Sequence, residues 1–571
     1  MNMSIKEKWN TWNNWQMEDP ELAEELQSMQ FDKAKIEDCF YKDLEFGTGG
    51  LRGVLGVGTN RMNVYTVAKA TQGYSNYLNA NCSSPSVAIA YDSRINSNKF
   101  ARVAAEVFAA NGIRVYISRE LMPTPFLSFS IRDLGGSGGV VITASHNPAK
   151  YNGYKVYGPD GCQITTQTAK DILGEINAVD IFDGVRRMPF ETGIESGVIS
   201  YIGEETVEAY IEAVSEQSLC GNEKIDKTLS IVYTPLNGAG LKCVTRCLKK
   251  NGFTNISVVA EQEQPDGNFT TCRYPNPEMP EALELGLRDA RKLNSDLLLA
   301  TDPDCDRVGI AVRSGDDYVL LSGNEVGILM LDYICKRRIA LNRMPKNPLV
   351  IKTIVTIDMA RRIATDYGVQ VLDVLTGFKF IGEQIGFLEK KGEEDRYILG
   401  FEESYGYLTG SYVRDKDAVN ASLMICEMFA YYRAKGQSLI DVLNGLYEKY
   451  GYCLNTLHSY EFDGLNGFQK MQDIMEQFRE NWPKMWAGCK IRAVSDYKKS
   501  ITRYGDGHVV EIDLPTSNVL KFELEGDLSV VVRPSGTEPK LKMYISVSAG
   551  NQKEAEELEK ILVKDLERVF V

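Results

Sequence analysis

Ser86-Val87-Ala88-Ile89-Ala90 opens the stretch that decides the fold. It is an apolar run of strand length. Phe100 to Ala110 follows with apolar residues at helical spacing and stops at Asn111-Gly112, a left-handed helix-end signal. Ile113 to Ile117 is a second apolar run. Strand, helix, glycine, strand is a βαβ unit with a parallel strand pair. The same order returns at Leu229–Tyr233, Leu241–Lys250, Asn251-Gly252 and Ile256–Val259. It returns again at Leu349–Ile354, Met359–Tyr367, Gly368 and Val369–Val374. Three copies about 120 to 140 residues apart predict three similar mixed α/β domains.

The flanks differ. Residues 4–45 read as helical, most clearly from Glu18 to Gln30. After residue 450, short strand candidates gather at Ile491–Val494, Val509–Leu514, Val519–Leu524 and Leu528–Val532, and Glu554–Val569 is an amphipathic helix. That predicts a smaller α+β C-terminal domain. The expected domains are 1–205, 206–320, 321–450 and 451–571, a count that suits 571 residues at about 150 per domain.

Composition narrows the function. The chain is 43% hydrophobic, as globular proteins are, and carries 64 basic against 78 acidic residues, a net −14. That argues against nucleic acid or an anionic membrane as a partner and leaves room for a locally basic cleft binding a small anion. No apolar run approaches the ~20 residues of a membrane span, and the polar, Trp-rich start has no leader-like core. None of the twelve cysteines stands in C-x-x-C; Cys243 and Cys247 lie four apart with no second pair to complete a zinc site. A cytoplasmic, reducing setting is expected.

Chemistry is concentrated in loops after strand candidates. Thr143-Ala144-Ser145-His146-Asn147-Pro148 follows the run Gly139–Ile142. It is no hydrolase elbow, because Thr143 and Asn147 occupy the glycine positions of G-x-S-x-G. Ser145 reads as a carrier of a phosphoryl group or as part of a plain Ser/Asn/Pro turn. Asp302-Pro303-Asp304-Cys305-Asp306-Arg307 follows Leu297–Ala300. In extended backbone its three carboxylates share one side and call for a hard cation such as Mg²⁺. An EF-hand is excluded, since Arg307 and Arg313 stand at its glycine and glutamate positions.

Arg533-Pro534-Ser535-Gly536-Thr537-Glu538-Pro539-Lys540 offers a guanidinium, two hydroxyls and amides around a glycine, the donors a phosphate dianion takes. Gly400-Phe401-Glu402-Glu403-Ser404-Tyr405-Gly406 offers carboxylates and a hydroxyl to sugar hydroxyls. Thr376-Gly377-Phe378-Lys379 places a lysine at a strand end, and Gly47–Gly53 contributes Arg52. In open α/β sheets ligands bind at this edge, so loops from four domains predict a four-walled cleft.

With these motifs in this order, the sequence resembles the α-D-phosphohexomutases over essentially its whole length. T-A-S-H-N-P matches at Thr143–Pro148, D-x-D-x-D-R at Asp302–Arg307, and R-x-S-G-T-E-P at Arg533–Pro539. The sugar loop G-E-x-S is represented by Gly400–Ser404 with one aromatic inserted, and Tyr151-Asn152-Gly153-Tyr154-Lys155 matches a segment whose lysine faces the active site. The F-E-E-x-x-G-Y loop and T-G-F-K are most similar to the branch holding bacterial phosphoglucomutases, eukaryotic phosphopentomutase and glucose-1,6-bisphosphate synthase.

The resemblance implies a phosphosugar mutase interconverting glucose 1-phosphate and glucose 6-phosphate. Phosphopentomutase, phosphomannomutase and bisphosphate synthase are the alternatives, and a non-catalytic sugar-phosphate binder stands outside them. It implies phosphorylation of Ser145 and Mg²⁺ on Asp302, Asp304, Asp306 and a phosphoserine oxygen. It also implies glucose 1,6-bisphosphate as primer. Lys379 becomes the leading general acid/base, Lys155 and Arg52 a phosphate clamp, and His146 an assistant. Thr376, Gly377, Glu402, Ser404, Arg307, Arg533, Ser535, Gly536 and Thr537 become substrate contacts. Partners are small sugar phosphates, with the protein a monomer or a dimer.

Overall fold

The computed structural model describes residues 3–47, 49–221, 223, 225–462, 467–535 and 540–568. They form two compact units: residues 1–323, 378–400 and 404–434, and residues 324–377, 401–403 and 435–571.

In the first unit the strand Ser86–Tyr91 pairs in parallel with Arg114–Ile117 and with Gly138–Ile142. Gly138–Ile142 is buried along its length, as a strand covered on both faces must be. The full order is Phe46–Gly47, Gly50–Val54, Tyr151–Tyr157, Gly138–Ile142, Ser86–Tyr91, Arg114–Ile117, Ile199–Tyr201. The first three strands are antiparallel to their neighbours and the remaining pairings are parallel. A second sheet runs Asp317–Leu321, Val308–Ser314, Leu297–Thr301, Ile231–Thr234, Ile256–Val258. Its parallel part is the second βαβ unit, and its antiparallel part hangs from the metal-loop strand Leu297–Thr301.

The expected helical start resolves into Ile5–Asn14, Pro20–Ser28 and Lys33–Phe40, capped by the side chains of Ser4, Asp19 and Asp32. Trp12 anchors them, edge-on to Phe40, Tyr65 and Phe182.

In the second unit Leu349–Thr353 and Gln370–Val374 pair in parallel around the helix Met359–Asp366. The three βαβ helices end alike, at Gly112 (φ 74°), Gly252 (φ 90°) and Gly368 (φ 68°). A side chain there would meet its own backbone, so the glycine read in sequence is a conformational requirement.

The C-terminal sheet is antiparallel throughout, ordered Tyr452–Glu461, Lys540–Ala549, Leu528–Pro534, Leu520–Leu524, Cys489–Asp496, Ile501–Tyr504, Val509–Glu511, with Met485–Trp486 pairing Cys489–Asp496. The helices Gly467–Glu480 and Gln552–Glu567 pack their apolar sides on it. Its two longest strands, Tyr452–Glu461 and Lys540–Ala549, and the helix Gly467–Glu480 go beyond the sequence expectation. The expected helix end at Val569 lies outside the described residues. No helix among the described residues is long and apolar enough to cross a membrane.

Candidate active site

The first unit gathers most of the predicted chemistry at the ends of two strands. After Gly138–Ile142 the chain turns sharply, and Ser145 takes φ 51°. Non-glycine residues seldom hold that conformation, which singles the turn out for a functional reading. The turn aims the Ser145 hydroxyl at the metal loop, where Oγ donates to Asp302 Oδ2 at 2.7 Å. His146 Nδ1 lies 3.2 Å from the same Oγ. Burial, then the charges of Arg307 and Arg52, holds the imidazole well below its usual pKa, so it is neutral.

The three carboxylates do converge, but not through extended backbone. The loop curls after Thr301: Cys305 N–H donates to the Asp302 carbonyl at 2.9 Å, and Cys305 itself has φ 52°. Asp302 Oδ1 accepts the N–H groups of Asp306 and Arg307 at 3.0 Å each, which closes the curl. One oxygen from each of Asp302, Asp304 and Asp306 then lies within 4.8 Å of the others, with the side chains buried. Oδ1 of Asp304 and Oδ1 of Asp306 are buried and accept no hydrogen bond. Buried carboxylate oxygens without donors are costly, and a hard cation is the partner that fits these two together with an oxygen of Asp302.

The surrounding charges sort the triad. Burial, then Asp304 and Asp306, pushes the Asp302 carboxyl well above its usual pKa. Burial also pushes Asp304 up, but the Lys155 ammonium and then Lys416 outweigh it and keep that carboxyl far below the usual range. Lys155 stands on the strand Tyr151–Tyr157, with Nζ 2.8 Å from Asp304 Oδ2 and 3.5 Å from Asp306 Oδ2. Burial opposes its charge, yet those two carboxylates hold it in the ammonium form. On the adjacent strand Gly50–Val54, Arg52 is in register with Gly153 and exposed, its Nη1 3.3 Å from Asn147 Oδ1. Arg307 pairs with Glu278.

Lys379 is the second residue of the helix Phe378–Glu389, which follows the strand Gln370–Val374 as expected; its carbonyl accepts the Cys162 thiol at 3.4 Å. The second ammonium beside the triad belongs to Lys416, unpredicted, with Nζ 2.8 Å from Asp306 Oδ2. Asp415 steadies it at 3.5 Å and accepts Tyr157 OH at 2.7 Å. Thr124, also unpredicted, donates Oγ1 to Asp304 Oδ2 at 2.9 Å. The signal was Arg414-Asp415-Lys416-Asp417 directly before the apolar helix Ala418–Ala434: a charged run that is buried, where such runs are normally solvated. Ser404 lies in the turn after Tyr397–Glu402; next to it Tyr405, at φ 63°, gives its carbonyl to Val308 N–H at 3.1 Å.

The remaining predicted residues belong to the second unit. Glu402 is buried at the end of its strand, and Glu403 Oε2 lies 3.3 Å and 3.4 Å from the hydroxyls of Thr353 and Thr356. Thr376 Oγ1 is buried and makes no hydrogen bond, while Gly377, at φ 118°, has open space where a Cβ would sit. Arg533 is the last residue but one of the strand Leu528–Pro534, and Ser535 N–H donates to the Lys540 carbonyl at 2.7 Å. Gly536 and Thr537 lie outside the described residues, as does Thr48 of the glycine-rich loop.

Comparison with known proteins identifies the family. Residues 43–181, 208–315 and 322–450 match the family described as phosphoglucomutase/phosphomannomutase, in its α/β/α domains I, II and III. A phosphoglucomutase of Staphylococcus saprophyticus is 36% identical over 511 residues, covering 89% of this chain and 91% of its own. One of Staphylococcus haemolyticus is 34% identical over 527 residues, covering 90% and 92%. A solved structure of a putative phosphomannomutase from Thermus thermophilus shares the fold at a TM-score of 0.68 and 21% identity, over 92% of this chain and 99% of that one.

Proposed function

Because the chain belongs to the phosphoglucomutase/phosphomannomutase family, the α-D-phosphohexomutases, we propose that it interconverts α-D-glucose 1-phosphate and glucose 6-phosphate through a phosphorylated Ser145. As a phosphosugar mutase it is an isomerase. The observation that carries the reading is the Ser145 hydroxyl 2.7 Å from Asp302, beside two carboxylate oxygens without donors.

The chemistry balances in two transfers. The bond from phosphorus to Ser145 Oγ breaks as a bond to the free sugar hydroxyl oxygen forms; the proton of that hydroxyl goes to the general acid/base, and Ser145 Oγ leaves as a hydroxyl by taking up a proton. The bisphosphate then turns; the bond from its other phosphorus to the sugar oxygen breaks as a bond to Ser145 Oγ forms, and the proton of the Ser145 hydroxyl passes through the general acid/base to that sugar oxygen. Asp302, Asp304 and Asp306, with an oxygen of the phosphorylated Ser145, would hold Mg²⁺. When bound, that ion acts as a Lewis acid that offsets charge on the transferring group.

Lys155 stays an ammonium beside Asp304 and Asp306 and so suits a phosphate clamp, together with Arg52. A clamp that keeps its proton is a poor base, which leaves Lys379 as the proposed proton carrier, with neutral His146 near Ser145 Oγ as assistant. Thr376, Gly377, Glu402, Ser404 and Arg307 are proposed sugar-phosphate contacts, and Arg533 with Ser535 to Thr537 the reader of the phosphate that does not react. Glucose 1,6-bisphosphate is the proposed primer. The described cysteines are all free thiols, which suits a reducing cytoplasm.

The aromatic inserted in the sugar loop does not favour a pentose. Phe401 is fully buried in the strand, and a Cβ on Gly327 would lie 2.3 Å from its ring, so it fills the core beside the helix Gly323–Ala340. Intact-protein mass before and after incubation with glucose 1,6-bisphosphate tests the carrier; one removable phosphoryl group on Ser145 is expected. Comparing kcat/KM for glucose, mannose and ribose 1-phosphates tests the sugar. A higher value for ribose would replace the glucose assignment.

A further inference from the structure

Ser145 holds a left-handed backbone, and the peptide groups on both sides of it end on one short motif, Asp92-Ser93-Arg94. On the amino side, Ser145 N–H donates to Thr143 Oγ1 at 2.8 Å, and that hydroxyl donates to Asp92 Oδ2 at 2.6 Å. On the carboxyl side, the Ser145 carbonyl accepts from Arg94 Nη2, which also reaches the Asn147 carbonyl. Arg94 Nη1 donates to the carbonyls of Pro148 and Tyr151 at 3.0 Å each. One guanidinium thus collects four carbonyls of a single turn.

Asp92 also holds the arginine. Its Oδ1 accepts Arg94 N–H at 2.9 Å, and its Oδ2 lies 3.3 Å from Arg94 Nε, with both side chains fully buried. A planar fork of five donors can serve this geometry, whereas a lysine ammonium offers three donors from one point. The loop Asp266–Phe269, which follows the second βαβ unit, seals the pair. The Phe269 ring lies 4.9 Å from the guanidinium carbon. Gly267 lets the loop approach, since a Cβ there would sit 2.5 Å from Ile95 N.

We infer that Asp92 and Arg94, acting through Thr143 and covered by Phe269, are positioning residues that fix the conformation of Ser145 and so hold its hydroxyl at Asp302. The inference rests on the reading of Ser145 as phosphoryl carrier. It assigns these residues to the rate of transfer and not to sugar binding, because a nucleophile displaced by about 1 Å loses roughly a hundredfold in rate while distant substrate contacts persist.

The test compares Thr143→Val, Thr143→Ser and Arg94→Lys for kcat and KM with glucose 1-phosphate, and for amide hydrogen exchange of the segment 143–151. Thr143→Val should lower kcat by about thirtyfold or more with KM within about threefold, and Thr143→Ser should bring kcat back to within about threefold of wild type. Arg94→Lys should behave like Thr143→Val. Both should lose exchange protection in the segment. If Arg94→Lys does not fold, the Thr143 pair decides. Equal kcat in Thr143→Val and Thr143→Ser, or a loss confined to KM, overturns the inference. If wild-type Ser145 takes no phosphoryl group, the carrier reading falls by itself. The exchange arm then still judges the positioning, which unaltered protection in Thr143→Val would refute.

Discussion

At the scale of single residues, charge balance decides what the site does before any ligand arrives. Asp302, Asp304 and Asp306 are buried within a few ångströms of one another and are tolerated because Lys155 and Lys416 stand against them. Asp304 is the carboxylate these lysines favour, with Lys155 Nζ 2.8 Å from its Oδ2, so neutralising it removes more attraction than repulsion. Asp304→Asn should therefore weaken Mg²⁺ about tenfold or more, lower kcat, and melt below metal-free wild type. Calorimetric Mg²⁺ titration and thermal unfolding check both halves; unfolding of the variant with Mg²⁺ affinity unchanged would make the triad structural. Lys379→Met should lower kcat by about a hundredfold and KM little if this lysine moves the proton in the transition state. A change in KM alone makes it a phosphate-binding cation and passes the proton role to another group, His146 first.

Elements explain why those residues meet, and how much of this could be read beforehand. The βαβ units were legible because apolar runs such as Val87–Ala90 and Leu297–Ala300 are buried on both faces and each unit's helix stops at a glycine that must be left-handed. The strands Tyr452–Glu461 and Lys540–Ala549 were not, because polar residues such as His458, Ser459, Lys542 and Ser546 interrupt them. The motifs put Ser145 and the aspartates in loops that follow strands, where they stand, whereas Lys155 reaches the triad from within the strand Tyr151–Tyr157. Lys416 escaped because a charged run before a helix normally reads as a solvated face. The curl at Cys305 escaped because a positive φ at cysteine leaves no trace in composition.

One element contact makes a prediction of its own. After Ile231–Thr234 the chain passes under the metal loop: Ala239 N–H donates to the Pro303 carbonyl at 2.8 Å, and a Cβ on Gly238 would lie 2.4 Å from Pro303 Cα. Neither backbone can give way cheaply. Gly238→Ala should destabilise by about 1–3 kcal/mol and, by pushing the metal loop, weaken Mg²⁺ as well. If stability falls and Mg²⁺ affinity does not, the loop is positioned without this support.

At the scale of the molecule, the compact bodies do not follow the internal repeat. The third βαβ unit's strands Leu349–Thr353 and Gln370–Val374 share a body with the C-terminal sheet. The helix Met359–Asp366 joins them through polar contacts. Arg362 Nη2 donates to Ser548 Oγ at 2.9 Å, and Asp358, at the head of the helix, faces Lys352 at 3.0 Å and Lys521 at 3.9 Å. Lys352 is fully buried and keeps its charge through Asp358, Asp373 and the carbonyls of Thr353 and Thr356. Burial pushes the Asp358 carboxyl up, but Lys352 and then Lys521 outweigh it and bring its pKa down to about 2, from an ordinary 3.8. A carboxyl depressed in the folded state stabilises fully above its ordinary pKa and loses that contribution as pH falls through the folded value. The melting temperature of wild type should therefore exceed that of Asp358→Asn by a constant margin above about pH 5, and the margin should close as pH falls to about 2. Circular dichroism melts of the full chain across that range measure it. A margin still intact near pH 2 would mean that Asp358 acts by shape and hydrogen bonding, with the C-terminal sheet held to this helix by Arg362 and packing instead of by charge.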